Sequence, residues 1–247
     1  MGSEVIIGDC VDKLREMEAE SIDLVVTDPP YNIGINYGFG VKADKRADYQ
    51  HWCSVWLSEC HRVLKKTGSI WVVSGQEYGA AIDLEIQNAG FHFRNRITWQ
   101  ERFGVYCRNK FGRTSRSIFY ATKSKLGFCF NRDSVLIPSD RQVKYGDKRA
   151  NPEGKVMGDV WDIPRVCGTF KERIPGVPTQ LPEKLIERII LVSSHPGDII
   201  LDPFMGSGTV SCVGVKNKRN TVGIELNPQF AAIATQRLLK HTTRRSA

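Results

Sequence analysis

Short apolar runs alternate with helical patterns along almost the whole chain, and this alternation limits the fold more than any single motif does. Val5–Ile7, Ile22–Thr27, Ser69–Ser74, Arg96–Trp99, Ser117–Ala121, Ile199–Leu201 and Thr221–Glu225 read as seven strands. Helical periodicity fits Val11–Met17, Tyr49–Leu64, Tyr78–Asn88, Pro182–Val192, Thr209–Lys216 and Pro228–Leu239. Strands alternating with helices imply a mostly parallel sheet covered on both faces, an α/β fold. At 247 residues, 41% of them hydrophobic, the chain suits one large domain. No run approaches the ~18 apolar residues that span a bilayer, so no membrane segment is expected. Met1–Ile6 has neither a signal-peptide nor a myristoylation pattern.

Two stretches break the alternation. Asn32–Asp48 is polar and glycine-rich and reads as a mobile active-site loop. Phe128–Pro178 is long and irregular, carries Gly, Pro and Arg throughout, and reads as a substrate-recognition insertion. The chain then divides into residues 1–127, an insertion at 128–176, and residues 177–247.

The run Ile22–Thr27 ends in Asp28-Pro29-Pro30-Tyr31. A proline-locked turn at the carboxyl end of a strand places a carboxylate, a rigid carbonyl and an aromatic ring where open α/β sheets bind ligands. An exocyclic amine on a flat nucleobase needs two acceptors for its hydrogens and a π-face to stack on. Asp28, the Pro29 carbonyl and Tyr31 would supply them. A plain strand-capping turn accounts for the same four residues equally well, because Asp-Pro pairs often start turns.

Near the other end, Ile199-Ile200-Leu201-Asp202-Pro203-Phe204-Met205-Gly206-Ser207-Gly208-Thr209 reads as a strand, a small-residue turn and a helix start. Such a turn lets a ligand approach the backbone and the helix's unpaired N–H groups. A second strand ends in Glu225, at the spacing from which an acid reaches a ribose hydroxyl. A nucleoside-triphosphate loop would need Lys where Gly208 stands. A dinucleotide fingerprint would need Gly where Ser211 stands. The turn with its Asp202-Pro203-Phe204 lead resembles instead the S-adenosylmethionine turn of methyltransferases.

The net charge of +8 is concentrated in one segment. Phe91–Ala150 holds fourteen Lys and Arg against four Asp and Glu, interleaved with Trp99, Phe103, Tyr106, Phe111, Phe119 and Tyr120. That composition suits contact with a phosphate backbone, the alternative being a solvated basic face. The seven cysteines are scattered without a C-x-x-C, as expected of reduced, buried thiols in a cytoplasmic protein with neither disulfides nor a metal. Trp52, Trp56 and Leu64 share helical spacing and are expected in the core, while Trp99 and Trp161 carry no assignment.

Both motifs, in this order and about 170 residues apart, resemble the β class of amino-group DNA methyltransferases, in which the catalytic motif precedes the cofactor motif by circular permutation. Gly8-Asp9-Cys10, Arg62–Gly68 and Val177-Pro178-Thr179-Gln180 are similar to further segments of that family, although Leu181 stands where the family often has Lys. The resemblance implies a permuted Rossmann-like sheet in which the first strand follows the last. It implies S-adenosylmethionine as methyl donor and double-stranded DNA as partner, with the target base flipped out of the helix. It makes Asp28, Pro29, Pro30 and Tyr31 the catalytic turn. Asp9, Cys10, Asp28, Thr179, Gln180, Asp202, Pro203, Phe204, Gly206, Ser207, Gly208, Thr209, Glu225 and Asn227 become the cofactor residues, and 128–176 the target-recognition insertion. Asp28 favours adenine N6, since members acting on cytosine N4 more often carry Ser there. Cytosine N4, a catalytically silent DNA-binding subunit, and RNA or protein glutamine as substrate are the rival readings. A homodimer and a cognate restriction enzyme are compatible with the family.

Overall fold

The computed structural model describes residues 2–102, 104 and 106–243, and its centre is one eight-stranded sheet. The strands are β1 (Ser3–Ile7), β2 (Ile22–Thr27), β3 (Leu64–Ser74), β4 (His92–Gln100), β5 (Ser115–Thr122), β8 (Val160–Asp162), β9 (Ile199–Asp202) and β10 (Asn220–Glu225). A separate pair, β6 (Leu136–Ile137) and β7 (Lys155–Val156), lies outside it. The order is β1-β10-β9-β2-β3-β5-β4-β8, and only β5 runs against its neighbours. All seven expected strands are present. Phe103, counted above with the basic segment, lies outside the described residues.

The first strand pairs in parallel with the last, from Ser3↔Thr221 to Ile7↔Glu225. The first and last strands are therefore neighbours in the sheet, as a permuted order requires.

Side chains along each central strand alternate between two cores, which is why the runs read as continuously apolar. Val25, Ile70, Val72 and Phe119 face α1 (Cys10–Glu16), α2 (Tyr49–Val63) and α3 (Gly79–Asn88), packing on Leu14, Trp56 and Ile82. Leu24, Val26, Trp71, Val73 and Ile118 face α5 (Glu183–Ser193) and α6 (Thr209–Lys216), packing on Leu185, Ile189 and Val213. Each such fully buried side chain contributes ~1.5–3 kcal/mol. The final helix α7 (Pro228–Thr243) adds Ala234 and Leu238 to a smaller cluster with Met205 and Cys212.

The stretch 128–176 is more ordered than its composition suggested. It holds α4 (Asp140–Val143), closed by a Ser139–Gln142 capping box, and it supplies β8. β8 pairs with the otherwise open edge of β4, and covering a sheet edge is a common remedy for unpaired strand groups. Trp161 is buried 5.9 Å from Trp71, and the indole of Trp99 donates to the Ile163 carbonyl at 2.7 Å. Both unassigned tryptophans are thus core residues.

The loop Asn32–Asp48, expected to be mobile, is anchored at its base. The buried Asp44 carboxylate accepts from the backbone N–H of Asn32, Ile33, Gly34 and Ile35, at 2.7–3.3 Å. The Asn32 side chain bonds the backbone of Arg46 and the hydroxyl of Tyr78. An acid twelve residues downstream of Asn32 gives no local signal of this anchoring.

Candidate active site

Three sheet ends build one pocket. β2 delivers Asp28 and Pro30, β9 delivers Asp202 to Ser207, and β10 delivers Glu225, all at the carboxyl edge where strand order permits a crevice. Asp9, Cys10, Thr179, Gln180 and Thr209 complete the wall, so most of the expected cofactor residues come together.

The glycine turn shows why small residues stand there. Gly206 and Gly208 both have positive φ, 51° and 76°. A Cβ on Gly206 would meet nothing nearer than the Phe204 carbonyl at 4.0 Å, so that space is open to a ligand. Gly208 does not line the pocket. It caps α6 from behind, where a Cβ would lie 2.9 Å from the Cβ of Ala234. The Glu225 carboxylate accepts from the N–H of Gly206 and of Asn227, both at 2.8 Å, and so ties the turn to the end of β10. Burial pushes its carboxyl above the usual carboxylate range, and those N–H groups draw it back. Asp9 caps α1, its Oδ1 accepting from Val11 at 2.9 Å.

Two expected cofactor contacts are committed elsewhere in this structure. The Gln180 amide spans Ile174 N–H and the Glu172 carbonyl at 2.8 and 2.7 Å, strapping the end of the insertion. Asn227 lies outside the pocket lining and donates to the Tyr37 carbonyl at 2.9 Å, holding the tip of the Asn32–Asp48 loop against the start of α7. Thr179, in the left-handed region at φ 53°, meets the Tyr37 hydroxyl.

The Asp28–Tyr31 turn contains a feature the sequence did not disclose. Tyr31 is buried with its hydroxyl on Asp28 Oδ1, and Arg116 lies over its ring at 5.3 Å. Arg116 Nη1 donates to the Tyr31 hydroxyl at 3.0 Å and sits 3.9 Å from Asp28 Oδ2, while its Nε is 3.0 Å from Glu101 Oε1. Burial raises the Asp28 carboxyl to about 6, with Arg116 and the Tyr31 hydroxyl opposing that rise and Glu101 adding to it. Arg116 belongs to the basic segment expected to face phosphate. It precedes the expected strand by one residue, and a basic residue there gives no hint of burial. Among the described residues no hydrogen bond engages the Pro29 carbonyl, whereas that of Pro30 accepts from Tyr49 at 2.8 Å.

Other expectations are amended. Trp56 and Leu64 are fully buried, but Trp52 lines the pocket and packs edge-on against Phe204 at 5.4 Å. Four cysteines are buried, while Cys107, Cys129 and Cys167 are only half-buried. Much of the basic segment is paired within the chain, including Arg102–Asp162, Arg113–Glu77, Arg132–Glu153 and Arg141–Asp147. No helix among the described residues is long and apolar enough to cross a membrane.

Asp202 makes a testable contribution to stability. Burial, first of all, raises its carboxyl from 3.8 to about 8, with Asp28 and Glu225 adding to the rise against the Phe204 N–H. A carboxyl that holds its proton more tightly folded than unfolded stabilises the fold at low pH and loses that contribution as pH rises through the folded value. The ligand-free protein is therefore expected to melt at lower temperature at pH 8 than at pH 5. Asp202→Asn should flatten that slope in thermal melts across the range.

Residues 22–236 match the family model described as DNA methylase. The chain is 38% identical to "DNA adenine methyltransferase YhdJ" of Escherichia coli K12, covering 95% of this chain and 82% of that protein. It is 36% identical to "Type II methyltransferase M.HpaI" of Haemophilus parainfluenzae, covering 96% and 74%. Among solved structures, PvuII DNA methyltransferase (cytosine-N4-specific) superposes with a TM-score of 0.75 at 19% identity, covering 98% of this chain and 91% of that one. The M1.HpyAVI–SAM complex superposes with a TM-score of 0.68 at 20% identity, covering 95% and 98%. These two neighbours share the fold. Identity over nearly the whole length, with the motifs placed as above, means that the chain belongs to the DNA methylase family.

Proposed function

We propose that this chain transfers the methyl group of S-adenosylmethionine to the N6 amino group of an adenine flipped out of duplex DNA. The observation that carries the reading is the junction of the two motifs: Asp28 and the Gly206–Glu225 turn line the same pocket. The pocket suits the donor. The open face of Gly206 admits a ligand to the backbone, the Glu225 carboxylate stands where a ribose hydroxyl can donate, and Trp52, Phe204 and Phe230 give apolar walls. When bound, the donor supplies an electrophilic methyl carbon on a sulfonium.

The chain's own residues prepare the nucleophile. An adenine amine is weak because its lone pair is delocalised into the ring. Acceptance of its two N–H bonds by Asp28 and the Pro29 carbonyl favours a localised lone pair, and fixed placement supplies most of the remaining acceleration. Tyr31, folded onto Asp28 in this structure, releases the carboxylate as its ring turns to stack on the incoming base. The stretch 128–176 reads the sequence around the target. Tyr106 and Phe111, 86% and 98% exposed on the basic connection between β4 and β5, face the duplex.

Cytosine N4 is the nearest rival, and Asp28 rather than Ser at the head of the turn favours adenine. The test is to map modified bases in DNA from cells expressing the chain. N6-methyladenine at one recurring sequence is the expected result. N4-methylcytosine alone would replace the adenine assignment.

A further inference from the structure

A second cavity lies beside the Asp28 network. Trp99, Glu101, Arg116, Arg165 and Arg173 line it, and it meets the first pocket at Thr179. Two of its three arginines are already committed. Arg116 is held by Glu101, Tyr31 and Asp28, and Arg173 Nη1 donates to the carbonyls of Ile174 and Val177 at 2.9 and 2.6 Å. Arg165 differs from both. Its Nε is buried without a partner.

The placement of Arg165 is firm. Ile163, two residues before it, accepts from the Trp99 indole and donates its N–H to the Gln100 carbonyl at 3.2 Å, and Val166 after it is buried. Arg165 thus lines the cavity from a fixed segment just after β8, with its buried Nε donor unspent. Buried donors in native structures are nearly always matched, so an orphaned one points to a missing acceptor. A planar fork of N–H groups fits a carboxylate or phosphate oxygen pair. Arg116 lines the same cavity and reaches to within 3.9 Å of Asp28, so an anion there lies within one nucleotide's reach of the catalytic turn.

We propose that Arg165 binds a backbone phosphodiester flanking the flipped adenine and so seats the extruded nucleotide beside Asp28. This rests on the function proposed above and adds a named residue and a named chemical group to it. The alternative anion, the amino-acid carboxylate of the donor, is excluded or supported by the same experiment.

The experiment compares wild type, Arg165→Gln and Arg165→Lys on a duplex carrying the mapped target. Single uncharged methylphosphonates replace each phosphate near the adenine. Arg165→Gln is expected to lower kcat/KM for DNA about tenfold and to reduce the salt slope of binding by about one, with donor Kd unchanged. One methylphosphonate flanking the adenine should cost wild type a similar factor and cost Arg165→Gln nothing further. Arg165→Lys, which keeps the charge, should keep the salt slope. Losses that multiply in the combined case, an unchanged Arg165→Gln, or a loss confined to donor Kd would overturn the proposal. If Arg165→Gln melts well below wild type, the scan is read on wild type and Arg165→Lys, where a flat profile at the flanking phosphates overturns it. A wild-type protein that methylates no duplex would instead overturn the underlying function.

Discussion

Replacing Asp28 with alanine is expected to lower the methyl-transfer rate by about a thousandfold or more while leaving donor affinity within about threefold. Removing one preorganised partner of a reacting group commonly costs 10²–10³ in rate, and here the lost group is the charged one of two acceptors. The donor pocket retains Glu225, the glycine turn and its aromatic walls in this variant, which is why binding should survive. Asp28→Asn sharpens the test, since it preserves size and one acceptor oxygen but removes the charge. Single-turnover transfer of labelled methyl, paired with calorimetric titration of the donor, separates the two quantities. The same carboxyl sets a pH expectation. Protonation removes the negative charge of Asp28 and turns one of its acceptor oxygens into a donor, and burial raises the carboxyl to about 6, so the free enzyme's kcat/KM should fall on the acid side of that value. The groups that set the limb are Arg116 and Tyr31, which oppose the rise, and Glu101, which adds to it.

Glu225→Ala is expected to have the second-largest effect, a weakening of donor binding by about a hundredfold. One carboxylate does two things at that position. Its oxygens hold the N–H of Gly206 and of Asn227, fixing the turn in its left-handed shape, and the same oxygens retain acceptor capacity for a ribose. Truncation leaves two part-buried N–H groups unmatched and removes the acceptor, each worth roughly 1 kcal/mol or more. At ~1.4 kcal/mol per tenfold, about 3 kcal/mol corresponds to the stated loss. Glu225→Gln, which can still accept but donates as well, should fall between. Equilibrium dialysis of labelled donor reads this directly. A variant with unaltered Kd would mean that the turn holds its shape without β10.

The central strands β2, β3 and β9 were legible because their runs are buried on both sides, so composition alone marks them. Ile22–Thr27 and Thr209–Lys216 coincide with the observed elements end to end. The Gly206–Gly208 turn was legible for a related reason: small residues between a strand and a helix mark a tight turn at a strand end. Contacts between residues distant in sequence were not. Arg116 reaches Tyr31 across 85 positions, and Asn227 reaches Tyr37 across 190. Nothing local distinguishes a half-buried, internally paired arginine from the dozen basic residues around it, or an asparagine that holds a loop from one that touches a ligand. Gln180 makes the same point. Its side chain suits a ligand by type, but the insertion's own backbone meets both ends of it. The irregular stretch hid β8, because three residues with alternating exposure carry too short a pattern to recognise.

The central claim is that Asp28 presents an adenine amine to a methyl donor held by the Gly206–Glu225 turn. The most direct measurement uses purified protein, duplex DNA and a donor with a deuterated methyl group. The DNA is then digested and its nucleosides weighed by mass spectrometry. Deuterated N6-methyladenine from the wild type, and none from Asp28→Ala at undiminished donor binding, is the predicted result. Label on cytosine or on no base, or wild-type yield from Asp28→Ala, would contradict it.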